Sequence, residues 1–187
     1  KHIEDYKQMR AQEAAFSTVN LELQQLGTML RTAVIWGYLK ENPAGEIKRL
    51  KTAQKEPPYL TQDQVARIYP HCHDWLYTFV TIALNTGCRI SEILALKWED
   101  VDFRNGLIKM RSDEEFTTKG RRNREIPING FLGHVLRKAP RHITNSHIIF
   151  TARGQCPDDK LVRKRFYVAL KRAGLPHFRI HDMRHTF

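Results

Sequence analysis

Pro57-Pro58, followed immediately by Leu60-Thr61-Gln62-Asp63-Gln64-Val65, constrains this chain more than any other local feature. Paired prolines lack the N–H donors that a helix needs and hold the backbone rigidly, so no regular helix can run through them. Directly afterwards the residues that start a helix are all in place. Thr61 can accept from the backbone N–H three residues on, Gln64 can reach back to the N–H of Thr61, and Leu60 and Val65 occupy the two positions of a hydrophobic staple. A chain punctuated in this way is expected to fold as two units with a boundary near residue 59. Its 187 residues, 41% of them hydrophobic, suffice for one domain of ordinary size and a smaller one.

Upstream, residues 1–50 read as helical, with Leu23, Leu26, Leu30, Ala33 and Val34 on one face at helical spacing and Asn42-Pro43 ending the run. Residues 48–58 have the look of a linker, charged at Lys48, Arg49, Lys51 and Lys55. A basic linker can track a phosphate backbone or serve only as a solvated connector, and the residues leave both readings open.

Downstream, Leu76, Phe79, Val80, Ala83 and Leu84 form the apolar stripe of a helix that Gly87 stops. Residues 98–110 hold two short strand-like runs around Asn105-Gly106, a strong hairpin signal, and residues 124–128 supply a third strand whose Pro127 belongs at an edge or a strand end. Residues 131–139 read as helix and 147–150 as a short strand. Residues 158–173 are a further helix, facing inward with Val162, Phe166, Ala169, Leu170 and Ala173, opened by Asp158 and Asp159 and capped by Gly174. The expected class is mainly α with a small antiparallel β-sheet.

Thirty-one Lys and Arg against 20 Asp and Glu give a net charge of +11, which favours a polyanionic partner. The longest apolar stretch, residues 75–84, is too short to span a bilayer. Three cysteines without framework spacing suggest a reducing cytoplasm. His71-Cys72-His73 is a poor metal site, because adjacent ligands cannot easily converge on one tetrahedral ion and no second cluster completes the set. Neither a metal nor another cofactor is expected.

Three separated stretches carry the chemistry: Thr86-Gly87-Cys88-Arg89-Ile90-Ser91-Glu92, Lys119-Gly120-Arg121-Arg122-Asn123-Arg124-Glu125-Ile126-Pro127, and His181-Asp182-Met183-Arg184-His185-Thr186-Phe187. Phosphodiester cleavage by a hydroxyl builds negative charge on two non-bridging oxygens and on the departing oxygen. Guanidiniums such as Arg89 and Arg184 answer the first need, since each fork matches two phosphate oxygens at once. A lysine on a hairpin, Lys119, can protonate the leaving oxygen, and His181, at i−3 from Arg184 on one helical face, can transfer a proton near neutral pH. Glu92, at i+3, is placed to orient Arg89. His185 should point elsewhere, as a structural hydrogen-bonding residue.

In this order and at these separations the three stretches resemble the catalytic domain of the tyrosine recombinases, the phage integrase family. The resemblance covers residues 59–187 closely and 16–50 loosely. It implies that residues 1–50 are the C-terminal part of a small helical, SAM-like core-binding domain, 51–58 a linker, and 59–187 a catalytic domain incomplete at its C-terminus. It further implies Arg89, Lys119, His181 and Arg184 as catalytic residues, with Arg121, Arg122, Arg124, Lys48, Arg49 and Lys51 on DNA. The partners implied are duplex DNA at attachment sites, further protomers in a tetramer, and accessory DNA-bending proteins. The family's nucleophilic tyrosine follows the third box; all six tyrosines here precede it. The chain is therefore expected to be a fragment that binds DNA without a nucleophile of its own. The competing readings are a non-catalytic DNA-binding regulator on the same scaffold, against which the histidine argues, and a metal-dependent nuclease, for which Asp158, Asp159 and Asp182 make no convincing site.

Overall fold

The computed structural model describes residues 2–53, 57–110 and 124–186. Two compact units divide the chain, Lys1–Glu56 and Pro57–Phe187.

The first unit holds α1 (His2–Glu13) and α2 (Phe16–Ile35). Glu22 ties them together: it accepts from Tyr6 Oη at 2.9 Å and from Arg10 Nη2 at 2.7 Å. Val19 and Leu23 are the buried apolar residues of α2. The helix ends earlier than Asn42-Pro43, because Gly37 adopts φ 79°, a left-handed conformation that glycine enters without steric cost. Asn42 instead organises a turn, accepting from the Ala44 N–H at 2.9 Å and donating to the Gly27 carbonyl at 3.0 Å. Leu50, just before the expected linker at 51–58, is tied to α2. Asn20 brackets residue 50, accepting from the Leu50 N–H at 2.8 Å and donating to its carbonyl at 2.9 Å, and Arg49 donates to Gln24 at 3.1 Å. Lys48, Arg49 and Lys51 are exposed.

In the second unit, α3 (Gln62–Ile68) opens with the capping box: Gln64 N–H to Thr61 Oγ1 at 3.3 Å and Thr61 N–H to Gln64 Oε1 at 3.0 Å. A 3-10 turn over Tyr69–His71 leads to α4 (Trp75–Thr86), the central helix. Its burial exceeds the single stripe read from the sequence, since Thr78, Thr81 and Ile82 are buried as well. Later helices of the same unit pack around it, and the buried hydroxyls of Thr81 and Thr86 are satisfied within the helix, Thr81 donating to the Tyr77 carbonyl at 2.8 Å and Thr86 to that of Ile82 at 2.6 Å. Gly87, at φ 59°, closes α4 in the left-handed conformation.

After α5 (Ile90–Ala95) comes an antiparallel sheet of β1 (Val101–Asp102), β2 (Leu107–Met110) and β3 (Arg124–Pro127), in that spatial order. The β1–β2 turn has four residues, Phe103 to Gly106. Asp102 holds it by accepting from the N–H groups of Arg104 and Asn105 at 3.2 and 3.0 Å. Pro127 ends the edge strand opposite Leu107, and Ile108 pairs with Ile126 on the buried face. α6 (Gly130–Lys138) and α7 (Asp159–Arg172) follow. Residues 147–150 do not form the expected strand: the pairing is a single bridge between Lys97 and His147. Residues 180–185 form a 3-10 turn, Ile180–His185, rather than an α-helix, anchored in the core by Ile180 and Met183. Among the described residues no helix is long and apolar enough to cross a membrane, and no group of three or more His, Cys, Asp or Glu side chains is placed to hold a metal ion. Cys72 is a buried thiol that donates to the Ile68 carbonyl at 3.4 Å; burial pushes its pKa up to about 12.

Candidate functional site

The site is built on a buried carboxylate. Gly87 turns the chain out of α4 so that Arg89 occupies the position just before α5, and Glu92 lies in the first turn of that helix. Glu92 reaches back, its Oε2 accepting from the Arg89 N–H at 2.8 Å, while its Oε1 accepts from Arg89 Nη1 at 2.9 Å. The Glu92 side chain is only 1% exposed, whereas Arg89 is 36% exposed. One end of the arrangement is thus locked in the core and the other presents a guanidinium at the surface.

Two further arginines, distant in sequence, reach the same carboxylate. Arg124, at the start of β3, donates from Nη2 to Glu92 Oε2 at 2.7 Å and to Cys88 Sγ at 3.6 Å. Arg184, in the 3-10 turn, brings Nη1 to 3.9 Å from the same oxygen, close enough for charge attraction but too far for a hydrogen bond. That buried Nη1 finds no hydrogen-bond partner among the described residues. A buried donor left in this state costs about 1–3 kcal/mol, so an anionic acceptor arriving from outside would be favoured there. Burial alone would push the Glu92 carboxyl up, but the Arg89 N–H, the Arg124 charge and the Arg89 guanidinium outweigh it and hold the group below its ordinary value of 4.5. Three guanidiniums against one carboxylate leave this cluster with two positive charges in excess.

Arg89 and His181 line one open cleft of about 310 Å³, together with Ser91, Asp159 and Arg163. His181 is exposed there. Its turn is fastened by the neighbouring Asp182, buried to 2% and gripped by Arg179 through Nε at 2.8 Å and Nη2 at 3.1 Å. A larger cavity of about 650 Å³, lined by Asp74, Trp75, Phe150, Arg153 and Arg165 among others, holds none of the residues singled out by the sequence.

The structure therefore gathers Arg89, Arg124 and Arg184 around the Glu92 carboxylate and sets His181 in a cleft with Arg89. Lys119, Arg121 and Arg122 lie outside the described residues. Arg124, read from the sequence as a DNA contact, is engaged with Glu92 through Nη2 while its side chain stays 40% exposed. His185, expected to make a structural hydrogen bond, is exposed, and its side chain makes no hydrogen bond to the described residues. Arg163, on the cleft wall and ion-paired with Asp159 at 3.0 Å, had no signal in the sequence beyond its i+4 spacing from that aspartate.

Residues 58–187 match the model of the phage integrase family, and the chain belongs to that family. Among the relatives it resembles are the integrase of Escherichia phage 186, 31% identical over 95% of this chain and 49% of that protein, and the integrase of Salmonella phage P22, 29% identical over 93% and 46%. The shufflon-specific DNA recombinase of Escherichia coli is 27% identical over 90% of this chain and 42% of its own length. The chain thus spans less than half of each of these three relatives. The same fold is seen in a lambda integrase tetramer bound to a Holliday junction, at a TM-score of 0.79 and 21% identity over 98% of this chain and 56% of that one. The integrase of the transposon Tn1549, in complex with circular intermediate DNA, gives a TM-score of 0.76 and 22% identity over 99% and 70%.

Proposed function

We propose that this chain is the DNA-engaging part of a site-specific tyrosine recombinase. In the whole protein, a tyrosine hydroxyl attacks a phosphodiester and forms a 3′-phosphotyrosine while the 5′ oxygen departs. The covalent link conserves the bond energy, so the strands are exchanged and resealed without a metal or a high-energy cofactor. Arg89 and Arg184 are the groups that face the two non-bridging oxygens, where negative charge develops. Lys119 delivers the proton to the leaving oxygen, and His181 handles a proton or stabilises the phosphorane from the Arg89 cleft. Residues 1–50 act as part of a core-binding domain, with Lys48, Arg49 and Lys51 beside the DNA backbone. Arg121 and Arg122 add phosphate contacts. The protein works in the cytoplasm on duplex attachment sites as a tetramer, with accessory bending proteins as further partners.

One observation carries this reading: Arg89 and Arg184, far apart in the chain, reach the same buried carboxylate, and Arg184 keeps a buried donor without an acceptor among the described residues. Two stages of experiment test it. The chain should bind duplex DNA with an affinity that falls steeply with salt, roughly 0.9 in log–log slope for each phosphate neutralised. Salt-insensitive binding, or none in dilute buffer, counts against the reading. In a protein carrying this chain at the full length of its relatives, a nicked attachment duplex should trap a covalent adduct. Arg184→Ala or Arg89→Ala should lower its rate on the order of 100-fold or more. Binding with no adduct at full length would point to the DNA-binding regulator instead. The chain by itself should form no adduct, and one mapping to any of its own six tyrosines would overturn the assignment of the nucleophile.

A further inference from the structure

Arg124 lies outside the set of residues argued above to face the reacting phosphate, yet it makes the shortest contact in the cluster. Its Nη2 stands 2.7 Å from Glu92 Oε2, the oxygen that also accepts from the Arg89 N–H at 2.8 Å. A carboxylate oxygen offers about two lone-pair sites, so these two donors fill it. Arg184 Nη1 waits 3.9 Å from that same oxygen. A shift of about 1 Å would complete a hydrogen bond. What stands between Arg184 and a hydrogen bond to Glu92 Oε2 is therefore the occupation of that oxygen by Arg124 and the Arg89 N–H.

We propose that Arg124 is a positioning residue: by completing the occupation of Glu92 Oε2, it keeps the Arg184 guanidinium from closing onto that oxygen and leaves its fork available to an external phosphate. A buried carboxylate attracts any nearby cation strongly, and the Glu92 side chain is held at 1% exposure. Without Arg124 the nearest cation not already hydrogen-bonded to Glu92 is Arg184. Its ion pair would then compete directly with phosphate. Because Arg124 reaches Glu92 Oε2 through a single nitrogen, a lysine should serve as well at this position, in contrast to the fork-dependent Arg89 and Arg184.

The inference rests on the functional reading only in naming phosphate as the ligand that Arg184 awaits, and the experiment separates the two. Four chains are compared: Arg124→Met, which keeps the apolar stem but no donor, Arg124→Lys, Glu92→Gln, and Arg124→Met combined with Glu92→Gln. In the DNA-free protein, side-chain NMR of Arg184 reads rotation about its Cζ–Nε bond, which an ion pair slows. Arg124→Met should slow that rotation several-fold, and both Arg124→Lys and the double variant should restore it. Unchanged Arg184 rotation in Arg124→Met overturns the proposal whatever happens with DNA. The second reading is the salt slope of binding to a short duplex. Arg124→Met should lose about one phosphate contact, roughly 0.9 in slope, and the double variant should regain it relative to Glu92→Gln alone. A slope that stays low in the double variant would mean that Arg124 itself sits on a phosphate, and this too overturns the proposal. If no duplex binds at all, the functional reading fails while the NMR result still decides the role of Arg124.

Discussion

Glu92 concentrates the physics of the site into one side chain. Its carboxylate is buried, yet it stays charged because the Arg89 N–H and two guanidiniums compensate the lost hydration. Glu92→Gln should destabilise the second unit by about 2 kcal/mol, less than for a fully buried pair because Arg89 and Arg124 are partly exposed and can rehydrate. The dependence on pH follows from the depressed carboxyl. The native group binds its proton less tightly than the unfolded one, so the stabilisation is complete above 4.5 and is lost as pH falls from there through the lower native value. Urea unfolding at about pH 7 and about pH 3 should therefore show the wild type and Glu92→Gln far apart at the first and converging at the second. A gap that stays constant would mean that Glu92 contributes by packing and not by charge.

At the scale of single elements, two short sequences place the site. Gly87 ends α4 at φ 59° and starts the turn that presents Arg89, while the capping box at Thr61 starts the second unit. Gly87→Ala should cost about 1 kcal/mol, because a Cβ in the left-handed region clashes with the following carbonyl. Thr61→Ala should cost about 1 kcal/mol by releasing the Gln64 N–H. Thermal unfolding checks both, and the two should differ in kind: Gly87→Ala also displaces Arg89 and should weaken duplex binding, whereas Thr61→Ala should leave binding unchanged. These devices were legible in the sequence because each is complete within five or six residues. The strand expected at 147–150 was not, since its bridge depends on Lys97 about fifty residues earlier, and its apolar residues serve the core without a ladder.

At the scale of the whole molecule, the second unit carries its own continuous apolar core, running from Leu60 to Met183. Residues 57–187 alone should accordingly fold cooperatively, with a thermal midpoint within a few degrees of the second transition of the full chain. A molten or insoluble product would show that the first unit contributes to that core. The first unit leaves Ile35, Trp36 and Tyr38 exposed, each by more than 70%. Those residues explain why the stripe Leu23, Leu26, Leu30, Ala33 and Val34 predicted a helix correctly but could not say where that helix would stop. Periodicity reports which face is apolar, and the end was set by Gly37.

The sequence by itself determined where α3 and α7 begin, the closure of α4 by Gly87, the antiparallel hairpin around Asn105-Gly106, the family, and the excess of positive charge. Each of these rests on neighbouring residues, on composition, or on boxes whose order and spacing survive in the linear chain. Only the tertiary structure decided that Arg89, Arg124 and Arg184 meet at one carboxylate, that Arg124 holds Glu92 while Arg184 keeps an unpartnered donor among the described residues, and that His185 faces solvent. The reason is physical: a buried charge is tolerable only where the fold delivers its counter-ions, and here they arrive from a helix, a strand and a 3-10 turn whose convergence no local pattern encodes.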